Sequence, residues 1–149
     1  MWKLKADERL IRWRDFRNNL GVMSLDDALI ETVQLWDTAP FTPYYLDSEK
    51  NEDWPDPWTL ITDNYYCDIA KALGIIYTIC FSEHGSQLNA ELRIYQDLVS
   101  RYNYNLAFFN DGKYVINMIP GEVVNNSHID NTLKLLYRFS SDDLKLKQY

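Results

Sequence analysis

The chain has 149 residues, a formal net charge of −7 and 46% hydrophobic residues, with aromatics at 15% of the total; this is the size and apolar content of one domain closing one core. No apolar run approaches the ~20 residues of a membrane-spanning helix, and an acidic chain argues against dedicated nucleic-acid binding, which draws its affinity from clustered Lys and Arg. Two cysteines, Cys67 and Cys80, form neither a disulfide framework nor a zinc spacing, so reduced thiols are expected and no metal or cofactor is.

The N-terminus "MWKLKADERLIRWRD" carries charges where a signal peptide has its apolar centre, which predicts a cytosolic origin. From Ala6 to Asn19, Leu10, Trp13 and Phe16 recur at helical spacing with Arg9, Arg12 and Arg14 around the other faces. That pattern is an amphipathic helix with a basic face. Residues 1–19 hold six bases against three acids, residues 20–39 four acids and no base, and residues 40–57 five acids against Lys50. Such asymmetry favours internal pairing or contact with another acidic chain. In "SLDDALIETVQLW", Ser24 and Asp27 have the spacing of a capping box, and Leu25, Ala28, Leu29, Thr32, Val33 and Trp36 continue a second helix.

Four of the five prolines lie between Pro40 and Pro57, so residues 39–57 cannot be regular helix and are expected to form an ordered surface excursion. Its aromatics, and Trp58 after it, have two readings. They complete the core, or they anchor a partner, with Trp54 and Trp58 as the candidates. Asp56 and Pro57 mark a helix start predicted to run to about Leu73. The run "IIYTICF" after Gly74 is β-branched and aromatic yet keeps helical spacing. A strand is the reading preferred there, and a helix remains open.

Beyond it, "AELRIYQD", "YNLAFFN", "KYVINMI" and "TLKLLYRFS" read as strands. The "NDGK" at residues 110–113 predicts a hairpin pairing Tyr104–Phe109 with Tyr114–Ile119. The tail, 141–149, is expected to fray. These elements make one α+β domain over residues 1–149: a helical part at 1–38, the excursion at 39–57, a helix plus antiparallel strands at 58–140, and the tail. The N-terminal helices are expected to pack on an antiparallel sheet formed by the C-terminal half.

A cysteine-bearing helix, "ALGI", a strand and the hairpin "YNLAFFNDGKYVINMI" resemble the core of transglutaminase-like proteins. The resemblance implies a Cys nucleophile on the helix, a His base on the first hairpin strand and an Asp orienter on the second. On this sequence the nucleophile position is Cys67. The base position falls on Asn103, and the orienter on Asn117 or Met118. His84 and His128 lie outside the hairpin, and a helix beginning at Pro57 would put Cys67 near its middle, so a core-packing role for Cys67 is the preferred reading. The acids Asp47, Glu49, Glu52, Asp53 and Asp56 lack the spacing and glycine of a calcium loop. Glu91, Arg93 and Asp97 on one strand have the residue types of a metal-dependent nuclease edge, but an acid-rich strand in an acidic chain carries them by chance.

The stretches "KADERLIRWRDFR", "WPDPWTLITDNYYCDIAKALGIIYT" and "YNLAFFNDGKYVINMIPGEVVN" resemble small proteins encoded by large tailed bacteriophages. That implies a viral protein made in the host cytoplasm, with other proteins of the particle as partners. The leading expectation is therefore a non-enzymatic structural or assembly component, such as part of a connector or tail, acting through Arg9, Arg12, Arg14, Trp54 and Trp58. The alternative is a Cys67-dependent acyl-transfer or hydrolytic enzyme.

Overall fold

A computed structural model describes residues 1–149, in which four α-helices precede five β-strands. The first helix, α1 (Ala6–Leu20), lies where its periodicity predicts and buries Trp13 and Leu20. The second, α2 (Leu25–Asp37), starts at Ser24, whose hydroxyl accepts from the Asp27 N–H at 3.2 Å, as the capping pattern requires.

The single helix expected from Pro57 is two helices. Its start is as predicted, with the Asp56 carboxylate accepting from the Thr59 N–H at 2.7 Å. However, α3 (Pro57–Asp63) ends after seven residues because Asn64 turns left-handed at φ 57°. Asn tolerates that region better than most residues, and its side-chain amide donates to the Trp2 carbonyl at 3.1 Å, tying the break to the N-terminus. Tyr66 then forms a parallel bridge to Phe41, and α4 (Asp68–Cys80) begins with Cys67 as its N-cap.

The strand expected after Gly74 is the second half of α4, because Gly74 is a packing position rather than a stop. A Cβ there would lie 2.3 Å from the Trp36 ring, so only glycine lets the indole rest on the helix. Residues Leu73 to Ile79 are all buried. A helix buried on every side has no polar face, and its composition reads like a core strand.

The strands β1 (Ala90–Asp97), β2 (Asn103–Phe109), β3 (Tyr114–Ile116), β4 (Val123–Val124) and β5 (Leu133–Phe139) form one antiparallel sheet in the order β4-β3-β2-β1-β5. The predicted hairpin is present, with Asn110 and Asp111 at φ 51° and 56° and Phe109 opposite Tyr114. It is shorter than expected because Asn117, at φ 74°, turns the chain out of β3. The short β4 carries too few residues to register as a strand in the sequence. The α+β class, with N-terminal helices on a C-terminal antiparallel sheet, is as expected.

Helix α4 lies on one face of the sheet with α2 and α3 against it, and this side holds the main core of Trp13, Trp36, Tyr66, Leu73, Ile76 and Phe109. The opposite face carries a smaller cluster of Tyr95, Leu106, Phe108 and Val115, partly covered by Met118 and Ile129. The tail expected to fray is packed: Leu144 is buried and Tyr149 contacts Trp58 and Tyr77.

Candidate functional site

The left-handed turn at Asn64 places Cys67 at the N-terminus of a 13-residue helix. Its side chain is 6% exposed. On β2, Ala107 and Phe109 enter the main core beside α4, so the strand alternation puts Asn105 and Asn103 on that same face, nearer the open end. There the helix start and the strand start leave a groove. Its apolar half is a cavity of about 360 Å³ lined by Phe41, Cys67, Ile94, Asn103, Asn105 and Tyr137 among others. Its polar half, about 170 Å³, is lined by Asp37, Asp68, Lys71 and the amides of Asn103, Asn105 and Asn117, with Tyr102 and Tyr104. Asp68, Asn103 and Asn105 line both halves.

Thus, of the three hairpin-comparison positions, Cys67 lines the apolar half, Asn117 the polar half, and Asn103 both. The orienter position is Asn117, since Met118 packs against the cluster on the other face of the sheet. The position of Cys67 near mid-helix is corrected by the break at Asn64, although its burial agrees with a packing role. Asn105 escapes the sequence reading; its spacing of two from Asn103 on a strand is the signal that points to it.

Chemically, the groove offers amide donors and acceptors around a thiol. An amide does not take up a proton near neutral pH, so none of the three asparagines can act as a general base. The histidines are elsewhere. His84 Nε2 lies 2.9 Å from the Leu20 carbonyl at the end of α1, and His128 lines a separate cavity with Asp26 and Leu29. Burial pushes the Cys80 thiol up to about 12.

Of the predicted partner-binding residues, Arg9 requires correction. It is buried, and its guanidinium donates to the carbonyls of Leu4, Ile61 and Thr62 at 2.6, 2.9 and 3.2 Å. Those carbonyls sit at the end of α3 and before α1, where a fork of N–H donors satisfies several acceptors at once. Arg12 and Arg14 are exposed, with Arg14 3.5 Å from Asp15. Trp54 packs on Phe139, ring centroids 4.7 Å apart, and donates to the Asp47 carbonyl. Trp58 stays 46% exposed between Phe81 and Tyr149. No three His, Cys, Asp or Glu side chains converge as a metal site.

The excursion instead brings Phe41 and Tyr44 to the groove rim. Tyr44 is 97% exposed and left-handed, φ 61°. That conformation is uncommon for a bulky residue and carries backbone strain.

A cysteine at the start of a helix, beside the hairpin strands of an antiparallel sheet, defines an α+β protein. No family model and no curated protein matches the sequence. Among solved structures, calcium-bound LapG of Legionella pneumophila is similar with a TM-score of 0.71 at 14% identity, covering 93% of this chain and 78% of that one. The EGTA-treated form of LapG gives 0.69 at 14% identity, covering 91% and 74%. At that identity the likeness is one of fold.

Proposed function

We propose that this chain is a non-enzymatic binding protein that uses the Cys67 groove of a transglutaminase-like fold to hold a segment of another protein. The observation that carries this reading is the occupancy of the two proton-handling positions by amides: Asn103 and its neighbour Asn105 at the base, Asn117 at the orienter. Amide side chains pair with peptide N–H and C=O groups, which suits holding an extended backbone and not activating a thiol. The exposed rim aromatics Phe41 and Tyr44 add apolar area of the kind that anchors a partner. Following the bacteriophage resemblance of the sequence, the partner belongs to a virus particle. Calcium, named with the Legionella protein, is not carried over to this chain.

A second reading, a Cys67-dependent acyl-transfer enzyme, is favoured by the N-cap position of the thiol, since helix N-termini stabilise thiolates. Alkylation by iodoacetamide between pH 6 and 9, followed site by site by mass spectrometry, separates the two. The binding reading expects Cys67 to react no faster than free cysteine near neutral pH. It also expects the double replacement Asn103→His with Asn117→Asp to raise that rate at least tenfold, by supplying the missing base and orienter. Fast labelling of the unaltered chain, with turnover lost in Cys67→Ala but not Cys80→Ala, would establish the enzyme instead.

A further inference from the structure

The two halves of the groove differ in chemistry, and they meet at Asp68, Asn103 and Asn105. In the polar half, Asp37 and Asp68 face a single cation, Lys71. None of these three side chains takes part in a salt bridge. The half therefore carries one uncompensated negative charge, on two exposed carboxylates that a cation can reach from solvent. Two tyrosines, Tyr102 and Tyr104, pack edge to face at 4.8 Å beside these acids. Aromatic rings beside carboxylates are surfaces on which a guanidinium or ammonium is held. In the apolar half, Phe41, Ile94 and Tyr137 form a wall with Cys67 at its base and the strained Tyr44 on its rim.

From this pairing we infer that the groove selects an extended protein segment in which a Lys or Arg side chain stands next to an apolar one. The cation enters between Asp37, Asp68 and Tyr102, and the apolar side chain fills the wall at Phe41. The amides of Asn103 and Asn105 span the junction and bond the backbone between the two side chains. This inference rests on the groove being a binding site, and it adds the charge and order of what is bound. Charge complementarity singles out this occupant: an acidic segment would set like charges against Asp37 and Asp68, and a second copy of this chain brings a net charge of −7.

The test uses blocked alanine-rich hexapeptides carrying one Leu beside Lys, Arg, Gln or Glu, in both orders, titrated into the ¹⁵N-labelled full chain. The side-chain amide resonances of Asn103, Asn105 and Asn117 report groove occupancy. The expected result is that Lys and Arg peptides shift these resonances and bind at least tenfold more tightly than Gln peptides, with Glu peptides weakest. Raising salt, or the double replacement Asp37→Asn with Asp68→Asn, should erase the Lys-over-Gln preference. Phe41→Ala should weaken Lys and Gln peptides alike. Equal binding of Lys and Gln peptides in the groove overturns the charge inference and leaves the groove as a binding site. Peptides that shift none of the three amides, at any charge, overturn both.

Discussion

At the scale of single residues, Thr78 carries an unusual share of the core's polar chemistry. Its hydroxyl accepts from the indole N–H groups of Trp13 and Trp36, at 3.0 and 2.9 Å, and donates to the Gly74 carbonyl at 2.7 Å. Thr78→Val keeps the shape and removes the acceptor, which should cost about 1–3 kcal/mol for each orphaned indole. The urea midpoint checks it, with Thr78→Ser as the variant that restores stability. On the outer face of the sheet, Glu91 is 5% exposed and accepts from Arg93 at 2.9 Å and from Arg138. Burial pushes its carboxyl up, but the hydrogen bonds from Arg138 and Arg93 outweigh that and hold it below the usual carboxylate range. A carboxyl depressed in the folded state stabilises above its unfolded value of about 4.3 and stops doing so as pH falls through the folded value. Glu91→Gln should therefore lower the urea midpoint at pH 7 and flatten its decline between about pH 5 and pH 3.

At the scale of elements, the decisive event is the interruption between α3 and α4. Asn64 in the left-handed region ends one helix, and the bridge from Tyr66 to Phe41 fixes the chain before the next begins. Arg9 supports that junction from α1 through the carbonyls of Ile61 and Thr62. Replacing Arg9 by Met should thus destabilise the fold by on the order of 3 kcal/mol, since three carbonyls lose a charged donor. The exposed Arg12 and Arg14, changed to Ala, should stay within about 0.5 kcal/mol. Thermal unfolding of the three variants distinguishes a junction residue from a surface one.

At the scale of the whole molecule, the helices and the sheet enclose one main core and leave a groove where β2 extends past it. The second cysteine, Cys80, lies outside the groove, partly exposed at the end of α4. Desolvation pushes its thiol up to about 12, so it should be alkylated more slowly than free cysteine in the native chain at pH 8 and faster on unfolding in urea. Mass spectrometry of the labelled peptides checks this, and equal rates in the native and the unfolded chain would overturn it. The excursion at 39–57 is part of this architecture: Trp54 rests on Phe139, and Tyr137 donates to Glu49 at 3.2 Å, so the proline-rich segment is fastened to β5.

What the sequence by itself determined were the features that local chemistry specifies. Ser24 and Asp56 cap their helices, "NDGK" turns its hairpin, and the alternating runs form strands in the C-terminal half, because each signal lies within a few residues of what it controls. The hairpin comparison also singled out Cys67, Asn103 and either Asn117 or Met118, and only the packing of Met118 on the far face of the sheet separates the last two. Tertiary structure alone decided the rest. Gly74 reads as a stop until the Trp36 ring, 38 positions away in the chain, is seen to lie on it. Asn64 reads as an ordinary polar residue until its left-handed turn moves Cys67 from mid-helix to a helix start. Arg9 belongs to a basic face by periodicity, yet it faces inward because carbonyls from a helix 52 residues on require its donors. In each case the deciding contact joins segments far apart in the chain, and no local pattern encodes it.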